Sequence, residues 1–226
     1  MTLHLSIIKA LAPLLGPYKA DDIFEDWLEL TEATLRMLPE HLTSALLHKH
    51  IAEDPDDVKA LWARVKARHG VTAFQHFAKA FQALLDTTDT YRDALGDVYM
   101  EFAHANEASG QFFTPWDVCR MMARMTCGNL EVTVRERMRD RGEPVTIHDP
   151  TVGSGRLLLA TAALLPKNLA RSSWVRFYGQ DIDHTCVRMA NVNMRLYGLN
   201  GTAIWLPTER PKKFPVPPVS RKQPVP

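Results

Sequence analysis

Two short turns in this chain carry residue types suited to holding a nucleoside. Asp149-Pro150-Thr151-Val152-Gly153-Ser154-Gly155 follows one β-rich run, and Gly179-Gln180-Asp181-Ile182-Asp183 closes a second. Gly153 and Gly155 let the backbone approach a ligand closely, where a Cβ would collide. The helix expected to begin there offers free N–H groups to a polar or anionic ligand group. Asp149, at the strand end, can accept hydrogen bonds from the ligand or fix the loop. Asp181, at the next strand end, is placed to accept both hydroxyls of a ribose. The glycine turn alone also fits an ordinary strand-to-helix connection; the acid at the second strand end is what favours a nucleoside. Upstream lies Gly110-Gln111-Phe112-Phe113-Thr114-Pro115. Thr114 can cap a helix whose first residue is Pro115, continued by Val118, Met121, Met122 and Met125. On its own this block also reads as a well-capped helix with a buried Phe pair.

These turns need a scaffold. Val145-Thr146-Ile147-His148, Val175-Arg176-Phe177-Tyr178 and Thr202-Ala203-Ile204-Trp205-Leu206 read as strands. Leu157 to Leu165 and Cys186 to Tyr197 read as helices between them, the second closing on Gly198. Strand–helix–strand–helix–strand is one half of a doubly wound α/β sheet with parallel strands. Right-handed crossovers predict the order three-two-one. The first hundred residues read as helices. Asp22 and Glu25 match a capping-box spacing, and Phe24, Trp27, Leu28, Thr31, Leu35 and Leu38 follow at helical intervals. Asp54-Pro55 predicts a cap followed by proline at the first helical position, with Val58, Leu61, Trp62 and Val65 on one face. Val71, Phe74, Phe77, Phe81 and Leu84 form a third apolar stripe, read as core. Tyr91 to Phe102 reads as one more helix.

Composition narrows the class. The chain has 226 residues, 46% hydrophobic and 23% charged, with net charge +1, so no global field points to a nucleic acid. No apolar run is long enough to span a membrane. Met1-Thr2-Leu3-His4-Leu5 shows none of the features of a secretory signal. Cys119, Cys127 and Cys186 form no disulfide framework and fit no zinc spacing. A reducing, cytoplasmic setting with buried or half-buried thiols is expected. Pro207 to Pro226 holds seven prolines and five Lys or Arg against one acid, Glu209. It reads as a flexible basic tail with extended polyproline character.

In this order and at these separations, the three motif blocks resemble the cofactor half of an adenine-N6 DNA methyltransferase. The modification subunit of type I restriction systems is the closest pattern. The resemblance runs from about Asp97 to Gly201. It implies an α/β fold: a helical N-terminal region (1–105), then a partial Rossmann-like S-adenosylmethionine-dependent methyltransferase sheet (106–206), then the Pro-rich tail (207–226). It implies S-adenosylmethionine as cofactor and DNA as partner. Thr114 and Pro115 are implied to hold the amino-acid moiety, Asp149 and Gly153 to line the cofactor loop, Asp181 to bind the ribose and Ile182 to pack on the adenine. Gln111, Phe112, Pro150 and Gly155 complete the implied cofactor-binding set, and Asn191 matches a helix that supports the pocket. The family loop usually reads Asp-Pro-Ala-Cys-Gly-Ser-Gly; Thr151-Val152 replaces Ala-Cys here, and Arg156 follows the second glycine.

The family's Asn-Pro-Pro-aromatic block, whose Asn and Pro carbonyl accept hydrogen bonds from the target amine and whose ring stacks on a flipped base, does not appear. The one Pro-Pro pair, Pro217-Pro218, lies between Val216 and Val219. No catalytic residue is therefore assigned. Only three strands are expected, which leaves the first strand with an open edge. An N-terminal helix, a partner subunit or a second copy is expected to cover it. Three functions fit: a DNA adenine methyltransferase that needs a partner for its target-base site; an inactive S-adenosylmethionine-binding regulatory or anti-restriction module; and an α/β nucleotide-binding or assembly protein.

Overall fold

The computed structural model describes residues 3–46, 54–103 and 113–206. The tail 207–226 and residues Gln111 and Phe112 lie outside them. The N-terminal half is helical: α1 (Leu3–Leu11), α2 (Ala20–Leu46), α3 (Asp56–His69), α4 (Ala73–Leu85) and the short α5 (Ala94–Val98), which runs into a π-helical turn, Tyr99–Ala103. Then come α6 (Trp116–Cys127), α7 (Leu130–Arg139), β1 (Val145–Asp149), α8 (Arg156–Ala162), α9 (Lys167–Ala170), β2 (Val175–Asp181), α10 (His184–Leu196) and β3 (Gly201–Trp205). Among the described residues no helix is long and apolar enough to cross a membrane.

Several helix starts differ from the sequence expectation. The first turn of α2 bonds Ile23 N–H to the Lys19 carbonyl at 3.1 Å, so Asp22 and Glu25 are not a capping pair. Asp21 and Asp22 instead sit in the first turn, where a negative charge suits the helix dipole. Pro55 is the cap of α3, and its carbonyl accepts from Val58 and Lys59 at 2.9 and 3.0 Å. A capping residue needs only its carbonyl for that bond, so the missing proline N–H costs nothing. The helix expected from Tyr91 starts at Ala94 because Asp93 caps it, accepting from Gly96 N at 2.9 Å. Asp183 does the same for α10 through Thr185 and Cys186.

The three strands pair in parallel in the order β1-β2-β3, as the crossover rule predicts. Val175, Phe177, Gly179 and Ala203 are buried on one face, against α8 and α10. The alternate residues Thr146, His148, Arg176, Tyr178, Thr202 and Ile204 are exposed on the other. Parallel strands are ordinarily covered on both faces; among the described residues nothing covers this second face. The outer edge of β1 pairs with no strand among the described residues.

Helix α10 joins the two halves. Its Cys186, Met189 and Val192 enter the core of the N-terminal helices, with Ile7, Phe24, Trp27 and Leu95. Its Val187, Ala190 and Met194 enter the sheet core, with Leu158, Phe177 and Tyr197. Polar contacts reinforce the seam: Arg188 donates to Glu32 at 3.1 Å and to Glu29 at 2.5 Å.

Candidate functional site

The ends of β1 and β2 are tied to each other before any ligand is considered. Asp149 is buried and accepts from Thr151 N at 3.0 Å, which turns the chain out of β1. Val152 N donates to the Gln180 carbonyl at 2.9 Å, pinning the loop on the end of β2. Gly153 N then donates to Asp181 Oδ2 at 2.9 Å, while Asp181 Oδ1 accepts from Asp183 N at 3.0 Å. The carboxylate read from sequence as a ligand acceptor is thus also a brace for the loop. Each of its oxygens keeps acceptor capacity, because a carboxylate offers about four lone-pair sites.

The two glycines differ in role. Gly153 has φ +52°, and a Cβ there would lie 3.2 Å from the Phe113 ring, so this position keeps a cradle open at the ligand side. Gly155 has φ +86°, and its Cβ would meet the Ala190 backbone at 3.3 Å. Gly155 therefore serves the packing of α8 on α10 and does not line the cleft, a correction to its reading as a ligand-approach residue.

A cleft of about 570 Å³ opens at these strand ends. Its lining brings together Phe113, Thr114, Asp149, Pro150, Gly153, Asp181 and Ile182, with Val152, Gln180, Cys119, Met122, Arg156 and Leu206. Of the expected set, Thr114, Asp149, Pro150, Gly153, Asp181 and Ile182 meet there. Ile182 is 65% exposed, an apolar side chain left bare at the rim. Pro115 is not in the lining; it occupies the cap of α6, and its carbonyl accepts from Cys119 N at 3.0 Å. The cap expected from the Thr114 side chain is accordingly absent, and the Thr114 carbonyl instead accepts from Arg156 Nη1 at 3.2 Å. Gln111 and Phe112 lie outside the described residues. Asn191 faces away from the cleft, and its amide bonds both the N–H and the carbonyl of Ala203, at 2.8 and 3.0 Å.

Sequence reasoning missed Phe113 as a wall of the cleft, Arg156 as a cation in its lining and Asp93 as the partner behind it. Arg156 carried a signal, since it departs from the usual loop pattern. Asp93 carried none, being 56 residues upstream of Asp149 (149 − 93). Burial works against the Arg156 charge, but Asp93 and Asp97 outweigh it and hold the guanidinium more firmly protonated than usual. Burial raises the Asp97 carboxyl, against the pull of Arg156. Burial likewise raises the Cys119 thiol, which is a poor nucleophile in that state.

The family model described as "N-6 DNA Methylase" matches residues 90–208, more than half of the 226. The chain belongs to the N-6 DNA methylase family. Within this family the chain is similar to curated type I methylase subunits. It is 34% identical over 113 residues to the type I restriction enzyme MpnII methylase subunit of Mycoplasma pneumoniae, covering 48% of this chain and 18% of that one. It is 28% identical over 116 residues to the HindI methylase subunit of Haemophilus influenzae, covering 48% and 23%. The chain therefore spans less than a quarter of the length of these relatives. Among solved structures it is similar to the type I restriction-modification methyltransferase subunit from Streptococcus thermophilus, with a TM-score of 0.49 and 16% identity over 94% of this chain and 60% of that one.

Proposed function

We propose that this chain is the cofactor-holding portion of a DNA adenine-N6 methyltransferase of the type I modification kind. In this reading S-adenosylmethionine is held in the cleft at the ends of β1 and β2. The observation that carries it is the convergence of the Thr114 turn, the open cradle at Gly153, Asp181 and the bare Ile182 on one cleft. Its volume falls within the roughly 300–1,000 Å³ typical of small-ligand sites. Asp181 accepts the ribose hydroxyls with its remaining lone pairs. Ile182 covers a face of the adenine, and Phe113 and Thr114 bound the amino-acid end. When bound, the cofactor supplies a methyl group made electrophilic by its sulfonium. The residues named here bind and orient it and screen it from water; none of them activates the target amine. DNA, and a segment that completes the target-base site, are what this reading requires beside these residues.

Calorimetry with S-adenosylmethionine tests the site. Asp181→Ala should weaken binding by about 2–4 kcal/mol if two hydrogen bonds to a charged acceptor are lost. Unchanged affinity in that variant moves the ribose site elsewhere and overturns the assignment. Incorporation of labelled methyl groups into duplex DNA tests the activity. The isolated chain should turn over well below about 1 per second, because its 226 residues contain no Asn-Pro-Pro-aromatic block to engage the amine. Turnover at an ordinary enzymatic rate would show that another group in the chain performs that task.

A further inference from the structure

Behind the cleft, buried polar groups converge on one carboxylate. Asp93 is 1% exposed and accepts four hydrogen bonds: from Gly96 N at 2.9 Å, Ser154 Oγ at 2.5 Å, Arg156 Nε at 2.8 Å and Asn193 Nδ2 at 2.9 Å. A Cβ at position 96 would lie 2.0 Å from Asp93 Oδ2 and 2.7 Å from Ser154 Oγ, so the carboxylate reaches the loop only because that residue is glycine. Arg156 extends the contact in three directions. Its Nε holds Asp93, its Nη2 donates to Asp97 Oδ1 at 2.7 Å, and its Nη1 donates to the Thr114 carbonyl at 3.2 Å. The guanidinium also lies 5.8 Å from the centroid of the Phe113 ring, within cation–π range. A planar fork fixed at two acids presents its third arm in one direction only. That arm ends on the wall of the cleft.

We propose that Asp93 and Arg156 are a positioning pair that sets the Phe113–Thr114 wall, and so governs how the cleft holds the amino-acid end of the cofactor. This rests on the reading of the cleft as an S-adenosylmethionine site. The α5 region, through Asp93 and Asp97, then acts on one end of the ligand, while Asp181 acts on the other. The two ends can be separated with methylthioadenosine, which keeps the adenosine part and lacks the amino-acid part.

Arg156→Lys retains the charge facing Asp93 and Asp97 and removes the fork. It should weaken S-adenosylmethionine by about tenfold or more, the loss of one good contact, and leave methylthioadenosine within about twofold. Equal loss for both ligands marks a merely structural role and overturns the proposal, as does no loss for either. Amide hydrogen exchange of the ligand-free protein gives a second readout. The Cys119 amide, just beyond the wall, should exchange about tenfold faster in the variant while those of β2 stay unchanged. Unchanged exchange at Cys119 also overturns it. If the unaltered protein binds neither ligand, the cofactor reading fails, and the exchange result alone decides whether the pair positions the wall. Should Arg156→Lys not fold, Asp97→Ala releases the Nη2 arm at a partly exposed carboxylate and must show the same split on a smaller scale; absence of that split again overturns the pair's role.

Discussion

Asp181 braces the very loop at which it is proposed to accept a ligand. Its Oδ2 holds Gly153 N and its Oδ1 holds Asp183 N, so the loop at the end of β1 is shaped by the residue expected to grip the ribose. Loss of Asp181 therefore affects the cradle as well as the contact. Other buried polar atoms have no such partner. Trp27 Nε1 and the Thr31 hydroxyl, one turn apart on α2, are buried and make no hydrogen bond among the described residues. An orphaned hydroxyl carries its desolvation cost uncompensated. Thr31→Val keeps the shape, has nearly the same helix propensity and removes the orphan. It should raise the unfolding free energy by about 1 kcal/mol, read as a higher urea midpoint with an unchanged slope. A lower midpoint would mean that the hydroxyl has a partner in solution.

At the scale of elements, the glycine turn joins two requirements that substitution can separate. Gly155→Ala drives a Cβ toward Ala190 of α10 and strains a left-handed backbone. It should cost about 1–3 kcal/mol of stability with little change in S-adenosylmethionine affinity per folded molecule. Gly153→Ala also strains a left-handed backbone, at φ +52°, and its Cβ meets the Phe113 ring; it should lose stability as well and differ from Gly155→Ala by weakening S-adenosylmethionine binding per folded molecule. The same comparison shows what a sequence can and cannot reveal. Strands β1, β2 and β3 were legible as short β-rich runs, the first two leading into Asp149 and Asp181. Their order followed from handedness alone. Helix boundaries were less legible, since Pro55 and Pro115 cap from the position where a first helical residue was expected. The stripe Val118, Met121, Met122 and Met125 marked α6 correctly, yet it is exposed, while Cys119 and Ala123 pack on Ala160. A helical period reports that a face is apolar, not which neighbour it meets. Arg156 and Asp93 were illegible as a pair because their contact joins the cap of α5 to α8 across 63 positions of sequence.

At the scale of the whole molecule, α10 and the Asp93 contacts make the helical region and the sheet share one interior, while the opposite face of the sheet stays bare. The two sheet edges are not equivalent. On β3, Ala203 is the central residue whose N–H and carbonyl point outward, and the Asn191 amide takes both. A side chain here stands in for a neighbouring strand. The edge of β1 has no such stopper among the described residues. Growth of the sheet is therefore directional. Among the described residues β1 is the one sheet edge without such a contact, so copies that join edge to edge through β1 should halt at two. A closed dimer, rather than an open fibre, is the limiting self-association product. Replacing Asn191 with Leu would unstop the second edge. Light scattering at rising concentration should then show growth beyond two copies in that variant, where the natural chain levels off at a dimer. A side-chain amide on α10 thus sets the valency of the molecule: one docking edge with it, two without it.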